Sequence, residues 1–366
     1  MPTQQGQQYT SANNAQDRNT LLTTGIPMRL LIGKNGPYSP GQTARIKLQN
    51  VGVITNLKMR IEAQIAITGG PMQISPLAPY NFATNIVTSD YNTTQRIFAP
   101  GNIMQMLLSA RHGRVWMGSG QGAVDTSQVV VPINTVSPSS SNFFFNLDLP
   151  FAYDKNSNLS GAILAQTVVG EMYLSVTFPT TFVQDITTLY TGGGSVTVTN
   201  IYITLWQEII QPQNSALPLM DLQTVYEVAG GYISSTNLAQ GQWKYLDYPN
   251  VRAVKACYLY FCNNGLLTQN ETDLSNIYLI ANGTTQLGQH TPQVIRQDMR
   301  TKMGGDLPTG LYYIDTRRQP IQTAIYSQVQ LGILPATVNA GNTFIAWAFE
   351  SMYPLNTPLP GIAQAS

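Results

Sequence analysis

Residues 306–353 read DLPTGLYYIDTRRQPIQTAIYSQVQLGILPATVNAGNTFIAWAFESMY and contain three apolar runs in a fixed order. The first is Leu311-Tyr312-Tyr313-Ile314-Asp315, the second spans Ile321 to Ile333, and the third spans Thr343 to Tyr353. In the second, Ile321, Ile325, Val329, Leu331 and Ile333 share one parity while Gln322, Gln328 and Gln330 hold the other. Successive side chains of a strand point to opposite faces, so this pattern predicts a strand with one wet face. With the third run and a turn through Pro335 and Gly341, it reads as a hairpin.

The same order occurs earlier in the chain. Phe143 to Asp148 is an aromatic run ending in Asp, Glu171 to Phe178 alternates, and Val196 to Trp206 is a long final run. Upstream, Asn56 to Thr68 places Leu57, Met59, Ile61, Ala63, Ile65 and Ile67 on one face and Lys58, Arg60, Glu62 and Gln64 on the other. Gly69, Gly70 and Pro71 are expected to end that strand, and Gly192 to Gly194 to form a turn before the run at 196. A change of apolar parity between Val198 and Ile201 predicts a bulge near Asn200. Cues for two short helices occupy matching places. Asn102 to Arg111 has helically spaced Met104, Leu107 and Leu108, and Thr291-Pro292 opens a segment with Ile295, Met299 and Met303 in one column. Asn282-Gly283 is a hairpin-type turn.

A repeat of about 150 to 170 residues implies a duplicated β-domain rather than a short-period solenoid. Antiparallel strands with long connections fit the jelly roll, two sheets packed face to face. The expected fold is all-β: two eight-stranded antiparallel jelly rolls side by side, with short helices in the connections. The expected boundaries are an N-terminal arm at 1–37, a first roll at 38–211, a linker at 212–218, a second roll at 219–353 and a C-terminal tail at 354–366.

Composition narrows the function. Only 10% of the 366 residues are charged while 43% are apolar, a surface suited to packing against neighbours rather than to repelling them. With 19 Lys and Arg against 18 Asp and Glu, the net charge is +1, which gives no footprint for direct binding of nucleic acid. Residues 1 to 40 hold only Arg18, Arg29 and Lys34 as basic positions. Cys257 and Cys262 stand an odd number of residues apart and are expected to face opposite ways as free thiols in a reducing compartment. No charged and apolar leader opens the sequence and no apolar run approaches membrane-spanning length, so neither secretion by that route nor membrane integration is expected. The acids sit singly at turns, as Asp148, Asp221, Asp306 and Asp315 do, so no catalytic, metal or cofactor site is expected.

Three segments resemble the major capsid proteins of tectiviruses, tailless bacteriophages whose icosahedral shell encloses a membrane. They are Leu149-Pro150-Phe151-Ala152-Tyr153 with Asn158 to Ala165, then Leu217-Pro218-Leu219-Met220-Asp221-Leu222-Gln223-Thr224-Val225-Tyr226, and the opening stretch 306–353. The resemblance covers most of the chain from about residue 140 onward. It implies a double jelly-roll fold, a homotrimer whose six rolls form a pseudo-hexagonal capsomer, and a place in the outer capsid shell of the virion after synthesis and assembly in the host cytoplasm. It also implies neighbouring capsomers, penton and minor capsid proteins as partners, and an N-terminal arm or C-terminal tail that meets the inner membrane. A short helix near Ala12 to Leu22 is expected in the arm. The residues expected at assembly interfaces are Gln16, Arg18, Leu21, Leu22, Gln322, Gln328, Gln330, Tyr353 and Leu355. The alternative reading is a β-sandwich spike or lectin-like virion protein that binds a receptor or carbohydrate through exposed aromatics among the 19 tyrosines and 4 tryptophans.

Overall fold

Alternation over the length of a strand has a physical consequence: one face can be removed from water entirely while the other stays polar. In the computed structural model of the chain, Leu57, Met59, Ile61, Ala63, Ile65 and Ile67 are each at most 3% exposed. At ~1.5–3 kcal/mol for each fully buried large aliphatic side chain, this single stripe anchors the first half of the fold. The structure describes residues 20–354 apart from 76, 92–93, 113–128, 131–138, 155–158, 166–169, 185–186, 214–223, 249, 251, 268–271, 284, 304–309 and 340–342.

Sixteen principal strands are present among the described residues. The first eight are β1 (Ile26–Tyr38), β2 (Thr43–Lys47), β3 (Val53–Ile74), β4 (Asn85–Ser89), β5 (Gln95–Ala99), β6 (Ser139–Pro150), β7 (Tyr173–Thr177) and β8 (Tyr190–Gln211), with helix α1 (Gly101–His112) between β5 and β6. The second eight are β9 (Thr224–Ser234), β10 (Lys244–Asp247), β11 (Ala253–Asn263), β12 (Leu274–Ala281), β13 (Thr285–His290), β14 (Leu311–Asp315), β15 (Val329–Pro335) and β16 (Phe344–Pro354), with helix α2 (Pro292–Met303) between β13 and β14. Two-residue strands at 129–130, 163–164, 266–267 and 321–322 extend the sheet edges.

The pairing repeats with a constant offset of eight strands. One sheet of the first roll runs β1-β8-β3-β6, and its counterpart in the second runs β9-β16-β11-β14. The opposing sheets run β5-β4-β7-β2 and β13-β12-β15-β10. This is a jelly roll made twice, each closed by a helix in the same connection. The rolls are also one piece of sheet: β9 pairs in parallel with β5 through Val228↔Ile97 and Ala229↔Phe98. A single apolar cluster runs through both.

Several local expectations are met. The helices cover the predicted segments, Asn200 sits at φ 52 beside a register shift between Thr199 and Tyr202, and Asn282-Gly283 turns with both φ positive. Met172, Leu174, Val176 and Phe178 are all buried. Cys257 and Cys262 are free and buried. The Cys257 thiol contacts the Tyr248 hydroxyl, and burial pushes its pKa up.

Other expectations are corrected. The run from Ile321 to Ile333 is not one strand, because Thr323–Ile325 forms a 3-10 turn and Ile325 is 71% exposed. That turn is held by Thr323, which donates its N–H to the Arg252 carbonyl at 2.8 Å and receives the Arg252 N–H on Oγ1 at 2.8 Å. Nor do β15 and β16 form a hairpin: β15 lies between β10 and β12, and β16 lies between β9 and β11 in the other sheet. The connection crosses the sandwich, as the strand order of a jelly roll requires.

Gly69-Gly70-Pro71 does not end β3, and Gly192 to Gly194 is not a turn. Both segments lie inside strands of 22 residues that stay paired from Val53↔Ile210 to Ile74↔Tyr190. The ladder carries a register shift between Gly192 and Gly194. A Cβ on Gly194 would lie 2.8 Å from Met72 Cγ and 3.0 Å from the Gly70 carbonyl oxygen, so the close approach there favours glycine.

The boundary of the first roll also moves. Residues 26–37, assigned to the arm, belong with Tyr38 to β1, which pairs with β8 from Ile26↔Gln211 to Tyr38↔Ile201. Proline is tolerated because β1 is an edge strand, where a missing N–H leaves no ladder bond unmade. Helical backbone covers 20–24, while 12–19 of the expected arm helix, the linker core at 214–218 and the tail from 355 lie outside the described residues.

Candidate functional site at the joint between the rolls

In a protein whose expected work is assembly, the informative site is where one roll already meets another. At that joint β5 supplies Arg96, buried at 2%, whose Nε donates to Asp90 Oδ2 at 2.8 Å, with the Asp90 side chain fully buried. Arg96 Nη1 also donates to the Gly161 carbonyl at 3.3 Å. Such a pair is tied to its surroundings, because losing either partner strands a charge away from water.

Gly161 belongs to the segment 158–165, one of the three that carry the resemblance. It packs on Tyr226 of β9, which belongs to the second, and Tyr226 meets Tyr153 of the Leu149–Tyr153 segment edge to face, with ring centroids 5.8 Å apart. The Tyr153 N–H donates to the Ser160 carbonyl at 2.7 Å, and the Phe151 and Ala152 N–H groups both donate to the Thr55 carbonyl. The Lys255 ammonium lies 5.5 Å from the centre of the Tyr153 ring. Burial lowers the Lys255 pKa, partly offset by the nearby Glu350 carboxylate. The third segment completes the group. Fully buried Glu350 of β16 accepts from the Tyr258 hydroxyl at 2.6 Å, and Tyr258 stacks on Tyr313 of β14 at 4.9 Å. Three stretches far apart in sequence thus converge on the seam between the rolls.

Helix α1 wedges the same seam. Asn102 Oδ1 accepts the Tyr232 hydroxyl at 2.5 Å, and the Ile103 side chain comes so close to Gly230 of β9 that a Cβ there would lie 3.0 Å from it. Ile103 is fully buried as a result. Arg96 does not stand out in the sequence, because β5 is too short to show a period, and Asn102 reads there only as the start of a helix. Comparing α1 with α2 position by position is the signal that finds them.

The expected interface residues that the structure describes fall on several elements. Leu21 is 1% exposed and packs with Val53, Leu159, Leu164 and Ile210 in a small cluster of the chain's own core, so it is not free to meet a neighbour; Leu22 packs against the same cluster and keeps part of its surface. Gln328 and Gln330 both donate to Asp247 Oδ1 at 2.8 Å, and Gln322 is exposed beside the turn at Thr323. Tyr353 carries the Arg252 guanidinium 3.4 Å above its ring. Burial and Glu227 push its hydroxyl up to about 12, with Arg252 acting against them. Gln16, Arg18 and Leu355 lie outside the described residues.

Residues 223–357 match the family model described as P3 major capsid protein C-terminal. Over 356 residues the chain is 21% identical to the major capsid protein P3 of Enterobacteria phage PRD1, covering 91% of this chain and 89% of that protein. Among solved structures it is similar to the STIV MCP, with a TM-score of 0.66 and 12% identity over 90% of this chain and 97% of that one. It is similar also to the major capsid protein P2 of bacteriophage PM2, with a TM-score of 0.51 and 9% identity over 89% and 97% of the two chains. These structures bear on the fold, and the P3 matches bear on the role, which is structural rather than enzymatic. Repeat, joint and likeness agree: the chain is a major capsid protein of an icosahedral phage, built as a double jelly roll and similar to the capsid proteins of the tectivirus type.

Proposed function

We propose that three copies of this chain form a capsomer in which six jelly rolls stand in a ring of pseudo-hexagonal outline, and that these capsomers tile the shell of a DNA phage with an internal membrane. The observation that carries the reading is the eight-strand repeat joined through β5 and β9. Two bodies of the same strand order fixed side by side in one chain give a trimer six similar lobes, the outline needed to pack on a hexagonal lattice. Low charge supports the same reading, since like subunits then approach with little desolvation of ions. Penton and minor capsid proteins at the vertices, contact of residues 1–19 or 355–366 with the membrane, and assembly in the host cytoplasm belong to this reading.

Light scattering coupled to gel filtration tests it directly. A particle of about 120 kDa, three times the 40.1 kDa chain, with a six-lobed outline in negative stain is expected. A monodisperse monomer with no six-lobed particles overturns the reading. Specific retention on a glycan array by such a monomer would favour the spike or lectin alternative.

A further inference from the structure

The outer face of the sheet β13-β12-β15-β10 in the second roll carries side chains that neither the core nor the joint uses. Val329, Leu331 and Ile333 of β15 are fully buried, so the alternate positions Gln330 and Gly332 belong to the outer face. Register places Tyr245 of β10 and Tyr278 of β12 on either side of Gly332, and Asp247 and Ile280 on either side of Gln330. The face thus presents two adjacent rows about 7 Å apart, the span of two residues along a strand.

The first row is aromatic. Trp243, immediately before β10, stacks on Tyr278 with ring centroids 4.2 Å apart and lies near parallel to Tyr245 at 6.2 Å. A glycine weakens a strand unless neighbouring rings cover it, and a Cβ on Gly332 would lie 3.0 Å from Tyr245 and 3.2 Å from Trp243. Covering Gly332 accounts for one side of these rings, yet Tyr245 remains 42% exposed, and Trp243 and Tyr278 keep part of their surface. The second row is polar. Gln328 and Gln330 both donate to Asp247 Oδ1, which holds two amides and a carboxylate in place with acceptor capacity to spare. Among the described outward-facing residues of β10, β12 and β15, Asp247 is the only charged one.

We infer that this face binds a neutral pyranose sugar, which gives the capsid protein a glycan-binding site on its second roll. An exposed aromatic ring suits the C–H face of a pyranose, and fixed carboxamide and carboxylate groups suit its hydroxyls. The sugar ring spans the two rows, with its apolar face on Tyr245 and its hydroxyls on Asp247 and Gln330. Charge selects the class of ligand. A sialylated or sulfated glycan would bring an anion to Asp247 with no cation opposite among these residues, whereas an uncharged sugar meets no such cost. The site lies within one chain and does not depend on how many copies make the capsomer.

The full-length protein, sized by light scattering, is applied to an array of neutral glucose, galactose, mannose and N-acetylglucosamine oligosaccharides beside sialylated and sulfated ones. Retention on neutral members and not on anionic ones is expected. For the best-retained oligosaccharide, Asp247→Ala should lower the affinity about tenfold in calorimetry, the equivalent of one hydrogen bond to a charged group. Tyr245→Ala should lower it by a similar factor with particle size and melting temperature unchanged. Met28→Ser, at a position as exposed but on the first roll, should not alter it. If Tyr245→Ala fails to fold, Asp247→Ala, at an exposed position, decides alone. No retention of any neutral glycan, or retention that both variants leave unchanged, overturns the site. A change of particle size in Tyr245→Ala would show this face to be a contact between copies, and overturns the site as well. A trimer that binds no sugar leaves the capsomer reading standing, whereas a monomer that binds through Tyr245 and Asp247 overturns that reading and keeps the site.

Discussion

A Cβ placed on Gly161 would lie 2.3 Å from the Cβ of Tyr226 and 2.6 Å from the Phe151 carbonyl oxygen. Gly161 also holds φ at +87, where side chains are strained. The first roll therefore approaches the first strand of the second roll to within a single missing methyl group. Gly161→Ala is expected to destabilise the chain by ~2–4 kcal/mol through overpacking and backbone strain together. Chemical denaturation of the purified subunit would measure it, and a loss below about 0.5 kcal/mol would show that the seam can relax.

The Arg96–Asp90 pair gives a second expectation. Arg96→Met removes the cation that pairs with a fully buried carboxylate, which should destabilise by ~3–5 kcal/mol. Adding Asp90→Asn to that variant removes the stranded charge and should restore part of the loss. A double-mutant cycle reads the coupling directly, and purely additive effects would argue against it.

Lys34 on β1 reaches across β8 to Glu62 on β3, Nζ to Oε2 at 2.7 Å. This hydrogen bond, followed in effect by the charge of Arg60, holds the Glu62 carboxyl below its ordinary value of 4.5, against the opposing effect of burial. A depressed folded-state pKa adds stability that is present above the unfolded value and lost as pH falls through the folded one. Melting temperatures of wild type and Glu62→Gln should therefore differ at pH 7 and converge below pH ~4. The difference should be small, because both side chains are partly exposed and solvent screens the pair. A gap that widens in acid would contradict this sign.

Leu21 separates arm from core. Deleting residues 1–19 should leave the melting transition within about 2 °C of wild type. Leu21→Asp should lower it markedly, since a charge would enter the cluster formed with Val53, Leu159 and Ile210. Differential scanning calorimetry distinguishes the two. Equal losses from deletion and substitution would place the whole arm in the fold.

How much could be read in advance depended on whether one face of an element stays wet. In β3 and β7 it does, and the alternation of Leu57 to Ile67 and of Met172 to Phe178 gave those strands their correct faces. The order of the last three strands in each half was equally legible, because aromatic and β-branched runs survive divergence of detail. The glycine stretches of β3 and β8 were not, since Gly69-Gly70 and Gly192 to Gly194 signal turns locally and become strand only by pairing with each other. The break at Thr323 depends on Arg252, 71 residues away, and no local pattern announces it. The joint was the least legible part. Glu350 and Arg96 are charged residues at fully or nearly fully buried positions, the reverse of what polarity suggests, and only the partners brought by the fold explain them.

The parallel ladder between β5 and β9 also has a consequence for how fast and how faithfully a shell can grow. In a trimeric capsomer of six rolls, three of the six seams are then inherited with the polypeptide and need no encounter in solution. Each ring requires three bodies to find one another instead of six, which removes three losses of translational and rotational freedom. The inherited seams are also of fixed kind, so the order of first and second rolls around the ring cannot be scrambled. The repeat thus acts on the kinetics of assembly: it replaces three of about five encounters with translation of a single chain.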